Sequence, residues 1–120
     1  MAKKILVVDD SKTIRQQVSL ILSSQGEFET LFAEDANRAL EVYKEHSDLA
    51  LIITDIVMPK KDGISLIKDL IALGNQTPIA VMSSTGIGEG IEKAKALGVK
   101  CWVIKPFAPE TFLNAVKTII

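Results

Sequence analysis

The chain has 120 residues, which is enough for one domain with a hydrophobic core. Its formal net charge of −1 excludes a general electrostatic attraction to nucleic acid or to a membrane surface. No apolar run is long enough to span a bilayer, and the first residues lack the pattern of a signal peptide. The single cysteine, Cys101, excludes an intramolecular disulfide and is typical of a reducing compartment. We therefore expect a cytoplasmic domain that binds neither nucleic acid nor membrane.

The first half of the chain predicts three strands and two helices. Residues 4–8 form an apolar run typical of a strand buried on both faces, and an amphipathic helix follows it until Gly26. The more polar run 28–33 predicts a strand near a sheet edge, Asp35 is placed to cap the second helix, and residues 49–54 are the most apolar strand. The helical apolar positions are Ile14, Val18, Ile21 and Leu22, followed by Ala36, Ala39, Leu40 and Tyr43.

The second half continues the alternation. A third helix is predicted before Gly74, strand 79–82 precedes a helix over about 91–97, and strand 102–104 precedes a helix over about 110–120. Three alternating glycines predict a mobile loop over 86–90 and a late start of the fourth helix. Five strands alternating with five helices imply an α/β fold with a parallel sheet and helices on both faces. The third helix carries its apolar residues at Ile64, Ile67, Leu70 and Ile71.

Chemically reactive side chains come directly after the strands. Ligands of an open parallel sheet bind at the carboxyl ends of its strands, so residues that follow different strands are expected to meet there. Lys105 follows the fifth strand and precedes Pro106. The other polar residues at strand ends are Asp9 and Asp10 after the first, Asp55 after the third, and Ser83, Ser84 and Thr85 after the fourth.

This acidic cluster predicts a metal site. Two like charges 4 Å apart repel by about 4 kcal/mol at an effective dielectric of 20, and Lys105 offsets only one of three negative charges. Oxygen ligands without a neighbouring His or Cys indicate Mg²⁺, with Mn²⁺ or Ca²⁺ less favoured. A carboxylate beside Mg²⁺ and an ammonium group suits phosphoryl transfer to Asp55, with Ser83 donating a hydrogen bond to the transferred group.

The segments VVDDS, IITDIVMPKKDG, MSS and WVIKPF, in this order and spacing, resemble the receiver domain of two-component response regulators. The resemblance covers essentially the whole chain and implies one receiver domain over residues 1–120. It also implies a three-layer, doubly wound (βα)5 sandwich with the flavodoxin-like, or CheY-like, strand order 2-1-3-4-5.

The resemblance assigns a role to each acidic residue. Asp55 matches the phosphoacceptor, and Asp10 matches a direct metal ligand together with Asp55 and the backbone carbonyl of Val57. Asp9 matches the acid that acts on the metal through water. Gly63, in the PKKDG turn, is expected to supply a backbone conformation that orients the Val57 carbonyl.

The same resemblance identifies a switch. Lys105 matches the phosphate-binding lysine, whose bond to Pro106 is typically cis in the family. Ser83 matches the switch hydroxyl, which is often Thr, and Ser84 stands where a small apolar residue is common. Trp102 occupies the aromatic switch position, where Tyr or Phe is usual.

The implied function is a signalling switch that catalyses only its own phosphorylation and dephosphorylation. A histidine kinase or a histidine phosphotransfer protein would supply the phosphoryl group, and a protein target would bind the surface of the fourth helix, fifth strand and fifth helix. Such a chain would act in chemotaxis or a phosphorelay, as a monomer or as a phosphorylation-dependent dimer.

Four alternatives remain open. The chain could be a receiver excised from a longer regulator, or a degenerate receiver that works as an unphosphorylated interaction module. An Asp-nucleophile phosphohydrolase is disfavoured because VVDDS lacks the D-x-D spacing and no cap is present. A flavin-binding electron carrier is disfavoured because Asp9 and Asp10 would repel the phosphate of the cofactor.

Overall fold

The computed structural model describes residues 2–58, 61–84 and 88–120. Five strands form one parallel sheet of order β2-β1-β3-β4-β5, which confirms the predicted fold and strand order. The strands are β1 (Lys3–Val8), β2 (Phe28–Ala33), β3 (Leu49–Asp55), β4 (Ile79–Ser83) and β5 (Cys101–Ile104). The helices are α1 (Lys12–Ser23), α2 (Ala36–Glu45), α3 (Gly63–Ala72), α4 (Glu89–Ala96) and α5 (Pro109–Ile119).

The sheet is covered by helices on both faces, so the domain has three layers. Alternate residues of β1 point to opposite faces, since Ile5 and Val7 pack with α1 and α5 whereas Leu6 and Val8 pack with α2, α3 and α4. This burial on both faces explains why the central strands are continuous apolar runs. The more polar β2 lies at an edge of the sheet, as its composition predicts.

Side-chain caps set the starts of three helices. Ser11 accepts the Ile14 N–H at 3.3 Å, Asp35 accepts the Arg38 N–H at 2.8 Å, and Asp62 accepts the Ser65 N–H at 2.8 Å. The backbone then turns into the helix within one residue of each cap.

The fourth helix lacks such a cap and starts at Glu89, two residues before the position that the apolar pattern predicts. Gly88 precedes it with a φ of 116°, a conformation that favours glycine. The predicted loop over 86–90 includes Gly86 and Ile87, which, like Thr85, lie outside the described residues.

The apolar residues that predict α3 are not all buried. Ile71 lies in the last turn of α3 and is 47% exposed, whereas Leu66 of the same helix is fully buried.

None of the helices in the described part of the chain is long and apolar enough to cross a membrane.

Candidate functional site

The sheet brings together the acidic residues and the lysine that the sequence places after its strands. Strand order reverses between β1 and β3, and Asp9, Asp10 and Asp55 follow or end these two strands. Their carboxylate oxygens lie within 4.8 Å of one another. Lys105, after β5, donates from Nζ to Asp9 Oδ2 at 2.8 Å and to Asp55 Oδ2 at 3.0 Å. One ammonium therefore serves two of three clustered carboxylates.

Asp9 is the most constrained of the three acids. It is fully buried, and its backbone N–H donates to the Ala33 carbonyl at 3.1 Å. Its Oδ1 accepts the Ser11 N–H at 2.8 Å, and its Oδ2 accepts from Lys105. Because both carboxylate oxygens already accept a hydrogen bond, Asp9 suits contact with a metal through water. Asp10 is exposed, and its carboxylate already lies in the cluster.

Asp55 is the last residue of β3 and is only 8% exposed. Burial is the largest effect on its pKa and raises it above the usual aspartate value. The charge of Asp9 also raises the pKa, and the Lys105 ammonium and the Val57 backbone hydrogen bond lower it without reversing the direction.

The pKa of Lys105 is also raised. Burial lowers its pKa, but the hydrogen bonds to Asp9 and Asp55 and the charges of these two carboxylates together outweigh burial and hold the pKa above that of an ordinary lysine. The raised pKa of Asp55 reflects mainly its burial, whereas the raised pKa of Lys105 reflects the two carboxylates that it contacts. A bound cation would add positive charge beside these carboxylates.

Gly63 is required for close packing, and the prediction of a special backbone conformation is wrong. Its φ lies outside the left-handed region, and a Cβ added there would lie 2.1 Å from the Asp55 backbone oxygen. The Gly63 N–H donates to the Ile56 carbonyl at 2.8 Å, which holds α3 against the end of β3. The Val57 side chain points into solvent. Pro59 and Lys60 of the PKKDG turn lie outside the described residues.

The predicted switch residues lie at the ends of β4 and β5. Ser83 is buried, and its backbone carbonyl accepts the Lys105 N–H at 2.7 Å. Ser84, the next residue, is exposed. The Lys105–Pro106 peptide bond is cis, as the resemblance implies. Trp102 is 39% exposed, and Lys95 Nζ lies 4.4 Å from the centroid of its ring.

Two contacts of this site involve residues that the sequence did not single out. Arg15 donates from Nη1 to the Asp9 backbone carbonyl at 2.7 Å, and Thr54 Oγ1 donates to the Asp55 backbone carbonyl at 2.9 Å. Arg15 lies four residues, about one helical turn, after the cap Ser11, and that spacing returns a long basic side chain toward the acidic loop. A backbone acceptor has no residue type of its own, so the sequence carries no further indication of either contact.

The donor set fits Mg²⁺. The candidate ligands are all oxygen atoms, and the three carboxylates have one lysine beside them, so a small divalent cation would complete the charge balance. Mn²⁺ prefers the same type of ligand. A flavin phosphate at the end of β1 would instead meet the carboxylates of Asp9 and Asp10, which would repel it.

Fold and site together define a doubly wound α/β protein with an acidic, lysine-containing pocket at the point where strand order reverses. A sequence model of the response regulator receiver domain matches residues 5–117. The chain is 35% identical over 116 residues to the chemotaxis protein CheY of Bacillus subtilis, covering 97% of this chain and 96% of that protein. This chain belongs to the family of response regulator receiver domains, and it is of the CheY type.

Solved structures agree with this assignment. Chemotaxis protein CheY4 of Vibrio cholerae superposes with a TM-score of 0.92 at 33% identity, over 100% of both chains. The CheX–CheY–BeF3–Mg²⁺ complex of Borrelia burgdorferi contains a chain that superposes with a TM-score of 0.90 at 26% identity, over 98% of this chain and 88% of that one.

Proposed function

We propose that residues 1–120 form one phosphorylation-controlled switch in which Asp55 accepts a phosphoryl group from a histidine kinase or a histidine phosphotransfer protein. The observation that carries this proposal is the set of three carboxylates within 4.8 Å, two of them bonded to Lys105. The names of the relatives favour a chemotaxis pathway. The single cysteine supports a cytoplasmic location.

The transfer requires only one reactive group on this chain. An Asp55 carboxylate oxygen attacks the phosphorus, the phosphorus–nitrogen bond to the donor imidazole breaks, and the electron pair stays on the imidazole nitrogen. The product is an acyl phosphate on Asp55 and a free histidine on the donor. Burial of Asp55 removes water from its carboxylate, which favours it as a nucleophile once it is ionised.

Mg²⁺ would be held by Asp10, Asp55 and the backbone carbonyl of Val57, with Asp9 acting through water. When bound, it supplies positive charge to the oxygens of the phosphoryl group. Lys105 is already within hydrogen-bond distance of Asp55 and would donate to the same oxygens. We therefore propose that the chain catalyses its own phosphorylation and dephosphorylation and no other reaction.

The output surface would be formed by α4, β5 and α5. Lys105 and Ser83 are joined through their backbones, so a movement of either toward a phosphoryl group would be transmitted to β5. Trp102 and Ile104 of β5 are partly exposed and offer an apolar contact to a protein target. The Borrelia burgdorferi complex contains a CheY chain with CheX, which supports a protein as the target here. A phosphorylation-dependent dimer through this surface is the alternative to a monomer.

Intact-mass spectrometry after incubation with acetyl phosphate tests the proposal. With Mg²⁺ present we expect one phosphoryl adduct, which disappears with EDTA and in Asp55→Asn. Asp48→Asn removes an exposed carboxylate far from the site and should keep the adduct. An adduct that survives in Asp55→Asn would contradict the assignment of the phosphoacceptor.

A wild-type protein that neither forms an adduct nor binds Mg²⁺ would overturn the proposal. The unphosphorylated interaction module would then be the better interpretation of the chain. A receiver excised from a longer regulator predicts the same adduct and differs only in its output.

A further inference from the structure

Arg15 makes a contact with the acidic loop that the proposed chemistry does not use. Its Nη1 atom donates to the backbone carbonyl oxygen of Asp9 at 2.7 Å, a short and charge-assisted hydrogen bond. Arg15 belongs to the second turn of α1, and Ser11 caps the same helix. The side chain therefore reaches back across the start of the helix to the end of β1.

The accepting carbonyl belongs to the peptide bond between Asp9 and Asp10. A peptide unit is planar, so Asp9 Cα, C and O lie in one plane with Asp10 N and Cα. Holding the oxygen fixes that plane and with it the direction in which the Asp10 side chain leaves the backbone. A rotation of the plane would turn the Asp10 carboxylate away from Asp9 and Asp55.

The other contacts that the described residues make with the loop do not fix this plane. Ala33 and Lys105 hold the N–H and the side chain of Asp9, and Ser11 is held on the far side of Asp10 by its bond to Asp9 Oδ1. Asp10 itself is exposed. Among the described contacts, Arg15 is the side chain that holds the peptide unit from which Asp10 extends.

The guanidinium also places a permanent positive charge next to the acidic cluster without occupying its carboxylate oxygens. Lys105 differs in this respect, because it donates to carboxylate oxygens of Asp9 and Asp55. A cation on the backbone side can therefore stabilise the loop while the oxygens remain available as ligands.

We propose that Arg15 is a positioning residue for the metal site, holding the Asp9–Asp10 peptide so that the Asp10 carboxylate stays in the ligand cluster. The inference rests on the proposed function. It goes beyond that function by assigning the geometry of Asp10 to a residue that is not a ligand.

The test is the affinity for Mg²⁺, measured by isothermal titration calorimetry on the wild type, Arg15→Gln, Arg15→Lys and Lys12→Gln. Lys12 is the matched control, because it starts the same helix and carries the same charge but has no described hydrogen bond to Asp9. Loss of a residue that orients a ligand typically weakens metal binding by about 10-fold or more. We expect this weakening in Arg15→Gln, a partial recovery in Arg15→Lys, and a change below about twofold in Lys12→Gln.

A second readout separates positioning from charge. The ¹H–¹⁵N resonance of Asp10 should shift in metal-free Arg15→Gln and change much less in Lys12→Gln, with thermal unfolding confirming that both variants are folded. Equal weakening of Mg²⁺ binding in Arg15→Gln and Lys12→Gln would reduce the effect to net charge and overturn the inference. Unchanged affinity in Arg15→Gln would overturn it as well, whereas a wild type that does not bind Mg²⁺ would refute the proposed metal site itself.

Discussion

Replacement of Gly63 by alanine gives the sharpest test of how α3 is held against the site. The new Cβ would lie 2.1 Å from the Asp55 backbone oxygen, whereas a carbon and an oxygen normally approach to about 3.3 Å. The two chain segments must therefore separate by about 1 Å. The obstacle is backbone at the end of a central strand, so no side chain can rotate out of the way.

The expected loss of stability is the sum of two destabilising contributions, reduced by one stabilising contribution. Forced overpacking costs about 1–3 kcal/mol, and weakening the 2.8 Å bond from the Gly63 N–H to Ile56 adds about 1 kcal/mol. The better helix propensity of alanine returns at most about 1 kcal/mol. We expect Gly63→Ala to lower the free energy of unfolding by about 1–3 kcal/mol, measured by urea denaturation without Mg²⁺.

Gly90→Ala is the matched control. It also introduces a Cβ near Ile56, but at 3.1 Å from a side-chain methyl, which can move, and in the first turn of α4. We expect a change within about 1 kcal/mol, because the helical gain offsets the crowding. If Gly63→Ala is as stable as Gly90→Ala, the close approach does not constrain the fold and the reasoning is refuted. The affinity of Gly63→Ala for Mg²⁺ should also fall, because the displaced backbone carries Asp55.

Three further predictions concern the charges of the site and its surface. Because burial raises the pKa of Asp55, the contribution of this group to stability falls as the pH rises from the ordinary aspartate value through the raised one. Metal-free Asp55→Asn should therefore be more stable than wild type at pH 7 in urea titrations, with a smaller difference at pH 4; a constant difference would contradict the argument. Mg²⁺ at 100 times its Kd should raise the free energy of unfolding by about 2.7 kcal/mol in a thermal-shift series. EDTA should reverse this gain and Asp10→Asn should lose most of it, so an undiminished gain in that variant would exclude Asp10 as a ligand. Lys95→Ala should shift the emission of Trp102, the only tryptophan, to longer wavelength by uncovering the ring. Lys93→Ala should leave the emission unchanged because Lys93 pairs with Glu89, and equal spectra for all three proteins would refute the ring contact.

The sheet was predictable because burial on both faces leaves a direct trace in the sequence. The apolar run 49–54 lies within β3, and the more polar run 28–33 coincides with β2 at the sheet edge. The start of a helix was predictable where a side chain caps it, as Asp35 caps α2. The start of α4 was misplaced because its N-cap residue, Gly88, has no side chain to signal a cap. The first buried residue, Ile91, also comes two positions after the helix begins.

The convergence of Asp9, Asp10, Asp55 and Lys105 was predictable for a different reason. Parallel strands end at the same edge, so residues that follow them must approach one another whatever their separation in the chain. Which atoms then bond was not predictable, since that depends on how far each backbone extends past the sheet. The requirement for glycine at position 63 was not predictable for the same reason. It arises from the short distance between two chain segments, and the sequence shows only that the residue is a glycine.

Lys105 donates hydrogen bonds to both Asp9 and Asp55. This arrangement explains how one pocket can accommodate Asp55 both with and without a phosphoryl group. On the proposed function, phosphorylation moves negative charge from an Asp55 oxygen to phosphoryl oxygens one bond further out. Lys105 Nζ lies 3.0 Å from Asp55 Oδ2, so it can follow that charge by a small movement. Asp9 does not react and is fully buried, so its 2.8 Å bond to Lys105 can persist in both states. Asp9 thus anchors the lysine while Asp55 changes. Because the Lys105 N–H donates to the Ser83 carbonyl, a movement that includes the Lys105 backbone acts directly on the end of β4.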